Sequence, residues 1–114
     1  MLELIRTTRF DTDVLSIYEW LDDRREGSGE VFYRELLVAM NRLALQPWSG
    51  SQIQKAKSSA RHFFLPRNRH AIIYTVELRR IVLHSVFDQR RDPGILERLV
   101  SEITGGLPGP RPIP

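Results

Sequence analysis

The spacing of hydrophobic and polar positions changes period twice along this 114-residue chain. Residues 2–6 form a short apolar run and read as a first strand. Val14, Ile17, Tyr18 and Leu21 then recur at helical spacing, which predicts a helix over residues 12–25. Asp11, Thr12 and Asp13 supply its cap and first-turn acids. Glu26-Gly27-Ser28-Gly29 interrupts the pattern, with Ser28 as a candidate helix cap. A second helix is expected over residues 30–45. Phe32, Leu36, Ala39 and Leu43 make one apolar line on it, and Tyr33, Leu37 and Met40 a second beside the first. A stripe that wide implies burial against a sheet on one side and against the first helix on the other. The short connection makes the two helices an antiparallel hairpin.

Gln46-Pro47-Trp48-Ser49-Gly50 ends the helical period. Residues 49–60 are polar and aperiodic and read as a loop, or a loop with one helical turn. Beyond them β-branched and aromatic residues predict strands over 61–65, 70–77 and 80–87. Pro66-Arg67-Asn68 separates the first two, with Asn68 suited to a left-handed turn position, and Leu78-Arg79 forms the second turn. This is an antiparallel meander. Ile73 and Thr75 point to one face of its central strand and Ile72, Tyr74 and Val76 to the other. In the last strand Ile81, Leu83, Ser85 and Phe87 alternate with Val82, His84 and Val86. Both faces of the central strand are largely apolar. The helices cover one; the other calls for a partner chain, a third helix or a homodimer contact. Pro93 permits a short helix over 94–103, with Ile95, Leu96, Leu99, Val100 and Ile103 on its apolar side. Gly105-Gly106 stops it, and the four prolines of residues 107–114 suit a mobile tail. The pattern therefore predicts an α+β domain over residues 1–104 and a Pro/Gly-rich tail over 105–114. Its N-terminal strand and helical hairpin pack on a small antiparallel sheet in the order β-α-α-β-β-β, with a short C-terminal helix.

Composition adds exclusions. A 41% hydrophobic and 27% charged chain is ordinary for a soluble globular domain. No apolar run approaches the roughly 18 residues of a membrane span. The N-terminus carries Glu3 and lacks a signal-peptide core, so the cytoplasm is the expected compartment. There are no cysteines, which rules out disulfides, thiolate catalysis and cysteine-ligated zinc. Charge is divided unevenly. Residues 1–50 carry six Lys+Arg against nine Asp+Glu, and residues 51–92 nine against three. The sheet half is basic, a field that attracts acidic protein segments or nucleic acid. Fifteen of the seventeen cations are arginine. Genomic base composition accounts for such a bias without any function, although arginine's planar fork suits carboxylate and phosphate.

Metal-free RNA cleavage would need a base, a cation and an acid. Arg61, Arg90 and Arg91 are candidates for holding phosphate, and His84 or Tyr74 for moving protons. Tyr74 and His84 lie inside strands, where the packed reading is favoured over a catalytic one. His62 and His70 have no carboxylate placed beside them by the sequence. Arg79 and Arg80 flank a turn, where charge is usually just solvated, and Arg90, Arg91 and Asp92 can pair locally. No Gly-rich phosphate loop, metal cluster or Ser-His-Asp arrangement stands out, and no cofactor or metal is expected.

The element order, the Pro47…Gly50 break, Arg61 opening its strand, HAIIYTVE at 70–77, RRIVLHSV at 79–86 and RRDP at 90–93 occur together. Over residues 2–93 the chain resembles the RelE/ParE superfamily of bacterial toxins from type II toxin–antitoxin pairs. The RRDP ending and the sheet pattern favour the ParE-like branch. That resemblance implies inhibition of a protein target, DNA gyrase in the better-known members, without chemistry. It implies a cognate antitoxin, largely disordered when free, that wraps the toxin and alone contacts operator DNA. Arg61, Arg79, Arg80, Arg90 and Arg91 become the candidate contacts to target or antitoxin. The RelE-like alternative cleaves messenger RNA in the ribosomal A site. A third reading is an attenuated toxin that only binds and regulates its antitoxin. One departure bears on these. Many ParE-like sequences have a histidine just before RRDP, where this chain has Asp88. An anionic Asp88 cannot donate a proton near neutral pH unless strongly perturbed, which weighs against catalysis.

Overall fold

The computed structural model describes residues 2–53, 59–67, 69–90, 94, 98–99 and 101–102. Strand β1 (Glu3–Arg6) leads directly into helix α1 (Thr8–Arg24). The helix starts before the expected residue 12 because Thr7 is its cap. The Thr7 hydroxyl accepts the Phe10 N–H at 3.0 Å, and Phe10 is buried in the core. Helix α2 spans Ser28–Leu45. Ser28 is not its cap. Gly27 holds that place at φ +89°, a left-handed geometry that glycine adopts without steric cost. Asp22, near the end of α1, takes the N–H groups of Gly27 at 3.0 Å and Gly29 at 3.1 Å. The last turn of one helix thereby closes the first turn of the next.

Strands β3 (Arg61–Phe64), β4 (His70–Val76) and β5 (Arg80–Asp88) form the expected antiparallel meander. Two additions extend it. Ser51–Gln52, inside the polar stretch read as a loop, is a two-residue strand β2 paired with β3. At the other edge β1 joins β5 in parallel, Leu4 opposite Ile81. The sheet is mixed and five-stranded, in the order β1-β5-β4-β3-β2. Parallel pairing follows from the crossover that the helical hairpin supplies between β1 and the meander.

The strict alternation expected along β5 breaks at His84. Ile73 pairs with Ser85 and Tyr74 with Leu83, so His84 is an extra residue in a β-bulge. Ile81 and Leu83 face the helices, and after the bulge Val86 does so too, while Phe87 turns to the opposite face. Asp13 of α1 collects the donors freed there: the Ser85 hydroxyl at 2.5 Å and the Val86 N–H at 3.2 Å. Thr7 donates its hydroxyl to the His84 carbonyl at 3.0 Å. Burial pushes the Asp13 carboxyl above its ordinary value, against the pull of the Ser85 and Val86 hydrogen bonds.

The main core lies between helices and sheet, with Phe10, Ile17, Phe32, Leu36, Leu43, Ile72, Tyr74 and Leu83 at its centre. The other sheet face is also covered. Ala71, Ile73 and Phe87 are buried with Ile53, Ala60 and Leu99 in a second cluster. Of the three covers left open by the sequence, the C-terminal helix supplies this one. Residues 98, 99, 101 and 102 are helical, and Glu102 pairs with Arg9 of α1. The other positions of the expected 94–103 helix, except 94, lie outside the described residues. So do Asn68, Arg91, Asp92, Pro93, the boundary at 104/105 and the tail. Among the described residues no helix is long and apolar enough to cross a membrane.

Candidate functional site

The candidates for proton and phosphate chemistry do not assemble into one site. Tyr74 is completely buried. Its hydroxyl donates to the Pro47 carbonyl at 2.9 Å and accepts the Gly50 N–H at 2.9 Å. Arg61 donates to the Gly50 carbonyl through Nε at 3.1 Å and Nη2 at 2.8 Å. Its guanidinium stands 5.2 Å from the Trp48 ring centroid. Arg61 and Tyr74 therefore meet, but on the backbone of Gly50, where they fasten the loop after α2 to the sheet. Burial pushes the Tyr74 phenol up, with Gly50 and Arg61 opposing in part. His84 sits in β5, across β4 from Arg61. Its Nε2 is 2.9 Å from the Thr75 hydroxyl, and burial lowers its pKa, only partly offset by Glu77. It is neutral at pH 7 and does not join the other two.

The arginines also divide. Arg79 is exposed at the β4–β5 turn, and Arg80 beside it donates to Glu77 at 2.7 Å. Arg90 follows the far end of β5, whose nine residues span roughly 26 Å at about 3.3 Å per residue. Arg90 instead joins arginines that sequence spacing did not connect with it. The turn after β3 brings Arg67 and Arg69, and the end of α1 brings Arg25. Together they rim a cavity of about 720 Å³ between the helical hairpin turn and the ends of β4 and β5. Leu21, Val31, Phe32, Leu65 and His70 form its inner wall, and Glu26 and Glu35 also line it. Nothing in the spacing of Arg25, Arg67 and Arg69 shows that the helix turn and the strand turn share one end of the molecule. The basic charge of the sheet half was the only available signal.

Beside this cavity Asp88 is buried, its side chain 4% exposed. It accepts from Arg69 Nε at 2.9 Å and from the Arg90 N–H at 3.0 Å, and His70 Nε2 lies 3.8 Å away. Burial alone would raise its pKa. The Arg69 and Arg90 hydrogen bonds and the charges of His70 and Arg69 outweigh it and hold the carboxyl below its ordinary value. Asp88 is thus an anion that fixes Arg69 and the chain at Arg90, and it is no proton donor. Arg69 also lies 5.4 Å from the Trp20 ring, which Arg24 covers at 3.8 Å. Trp20 is half-buried in this stack. Arg67 pairs with Glu35 at 3.3 Å. Arg25 and Arg90 are exposed, and their guanidinium groups meet no carboxylate among the described residues.

No family model and no curated protein matches the chain. Among solved structures it is similar to a chain of the chromosomal ParDE TA system from P. aeruginosa. The TM-score is 0.67 at 15% sequence identity, covering 77% of this chain and 96% of that one. The likeness establishes a shared fold.

Proposed function

We propose that this chain is the toxin of a type II toxin–antitoxin pair, of the ParE-like kind, and that it inhibits a protein target by contact. The observation that carries the reading is the fold, shared with a chain of a ParDE system over nearly that chain's whole length. The state of the candidate chemical groups supports contact over cleavage. Tyr74 and Arg61 are consumed in holding Gly50, His84 stands apart, and Asp88 is held as an anion. DNA gyrase is the target that the sequence resemblance implies, and a cognate antitoxin the neutralising partner.

The test is induction of the chain alone in a bacterial host, with growth, DNA-damage signalling and bulk translation followed in time. Growth arrest with early DNA damage and intact translation is expected. Purified protein should also inhibit supercoiling by gyrase, and a small antitoxin gene is expected beside its own, whose co-expression should relieve the arrest. Rapid translation arrest with cut messages would instead establish the endonuclease. Unimpaired growth would sink the toxin reading.

A further inference from the structure

The cavity at the hairpin end carries a ligand chemistry of its own. Its volume of about 720 Å³ falls in the range of roughly 300–1,000 Å³ typical of ligand sites. Asp88 and Arg69 satisfy one another at 2.9 Å, and of the described arginines of the rim Arg25 and Arg90 meet no carboxylate among the described residues. Arg67 is half committed: it reaches Glu35, yet its side chain is 74% exposed. Between these forks the wall is apolar, formed by Val31, Phe32 and Leu65. We propose that this cavity binds a segment of a partner protein that carries carboxylates around an apolar side chain. The apolar side chain enters against the half-buried Leu21 and Val31, and carboxylates on either side take the guanidinium forks of Arg25 and Arg90, a pairing that is bidentate and charge-assisted. The inference rests on the proposed function only in taking the donor to be a protein partner; the site itself rests on the cavity.

Nucleic acid fits the same cavity less well. A phosphate strand would carry continuous negative charge past Glu26 and Glu35. Strand binding also uses aromatic faces for base stacking. The two rings of the wall, Phe32 and His70, are 3% and 7% exposed and are tilted against each other at 4.9 Å. Glu35 has a second use in this scheme. It holds Arg67 at 3.3 Å, and an incoming carboxylate competes for that arginine.

The experiment titrates the full chain, at low salt, with three probes and follows backbone amide signals by NMR. The probes are a capped peptide of alternating Asp, Glu and Leu, its Asn and Gln counterpart, and a short oligouridylate. The acidic peptide should shift Arg25, Val31 and Arg90 and bind roughly tenfold or more tightly than its amide counterpart, the effect of one charge-assisted pair. Arg25→Gln combined with Arg90→Gln should abolish that preference without changing thermal stability, because both side chains are exposed. Glu35→Gln should tighten binding by freeing Arg67. Acidic-peptide affinity unchanged in the double variant, or no binding of that peptide at all, overturns the proposal. So does preferential binding of the oligouridylate that the double variant removes, which would give the cavity to nucleic acid. Growth arrest is read separately: loss of toxicity with peptide binding intact overturns the function and leaves the cavity's ligand standing.

Discussion

Tyr74 is the residue on which the loop after α2 depends. Its hydroxyl joins Pro47 and Gly50, and Arg61 secures the other side of Gly50. Tyr74→Phe strands the half-buried Pro47 carbonyl and the buried Gly50 N–H and should cost about 1–3 kcal/mol in chemical denaturation. Gly50→Ala should cost a similar ~1–3 kcal/mol by overpacking. A Cβ there would press on the Tyr74 hydroxyl and stand 2.6 Å from the His62 carbonyl oxygen. Asp88 gives a pH signature. Its folded pKa lies below the ordinary 3.8, so its contribution is fully present above that value and lost as pH falls below it. Asp88→Asn should therefore lose about 1.5–3 kcal/mol at neutral pH, with the gap from wild type closing on acidification below 3.8. Asp13 runs the opposite way, since its folded pKa is raised: its burial weakens the fold as pH rises through that raised value. Comparing the stability profiles of Asp88→Asn and Asp13→Ala keeps the contributions apart. The sequence singled out Tyr74 as core and Asp88 as the odd residue of its motif. It did not reveal Asp88's partners, because Arg69 and His70 reach it only through the turn between β3 and β4.

At the scale of elements, the type and order of both helices and the three meander strands were legible, because long apolar periods have no competing reading. Boundaries were less so. Thr7, Asp11, Thr12 and Asp13 all have capping side chains. The deciding residue is Phe10, a lone apolar position whose place in the core no periodicity announces. The bulge at His84 was invisible for a related reason: β5 is largely apolar on both faces, and the polar pair His84 and Ser85 falls one on each face of a regular alternation, so the pattern does not mark the slip. Its physical signature is Asp13, which sequence reasoning assigned to the helix start. Asp13→Ala leaves the Ser85 hydroxyl and Val86 N–H without an acceptor and should destabilise by about 1–3 kcal/mol. The Val86 amide should exchange faster in that variant. Unaltered stability and exchange would mean that the bulge is held by strand pairing alone.

For the whole molecule, two apolar sheet faces were foreseen and one of their covers was left open. Leu99 now closes part of the second face over Ile73 and Phe87. Leu99→Ala should cost about 2–5 kcal/mol. The uncovered patch should also promote self-association, visible by sedimentation as a concentration-dependent mass. A monomer of unchanged stability would contradict the packing. The candidate site was the least legible part. Arg90 was chosen from its motif, but Arg25 comes from the end of α1 and Arg67 and Arg69 from the turn after β3, segments that meet Arg90 only when the hairpin docks on the sheet.

The parallel pairing of β1 with β5 also sets an order in time. Glu3 finds its place only opposite Arg80, and the bond from Thr7 to His84 spans 77 residues. During synthesis at about 5–20 residues per second, the first strand waits several seconds or more for its partner to leave the ribosome. The helical hairpin can form early, closed locally by Asp22, while the sheet edge, the bulge and the basic cavity are all completed by the last strand. The molecule therefore acquires its finished surface only after its last strand has been made.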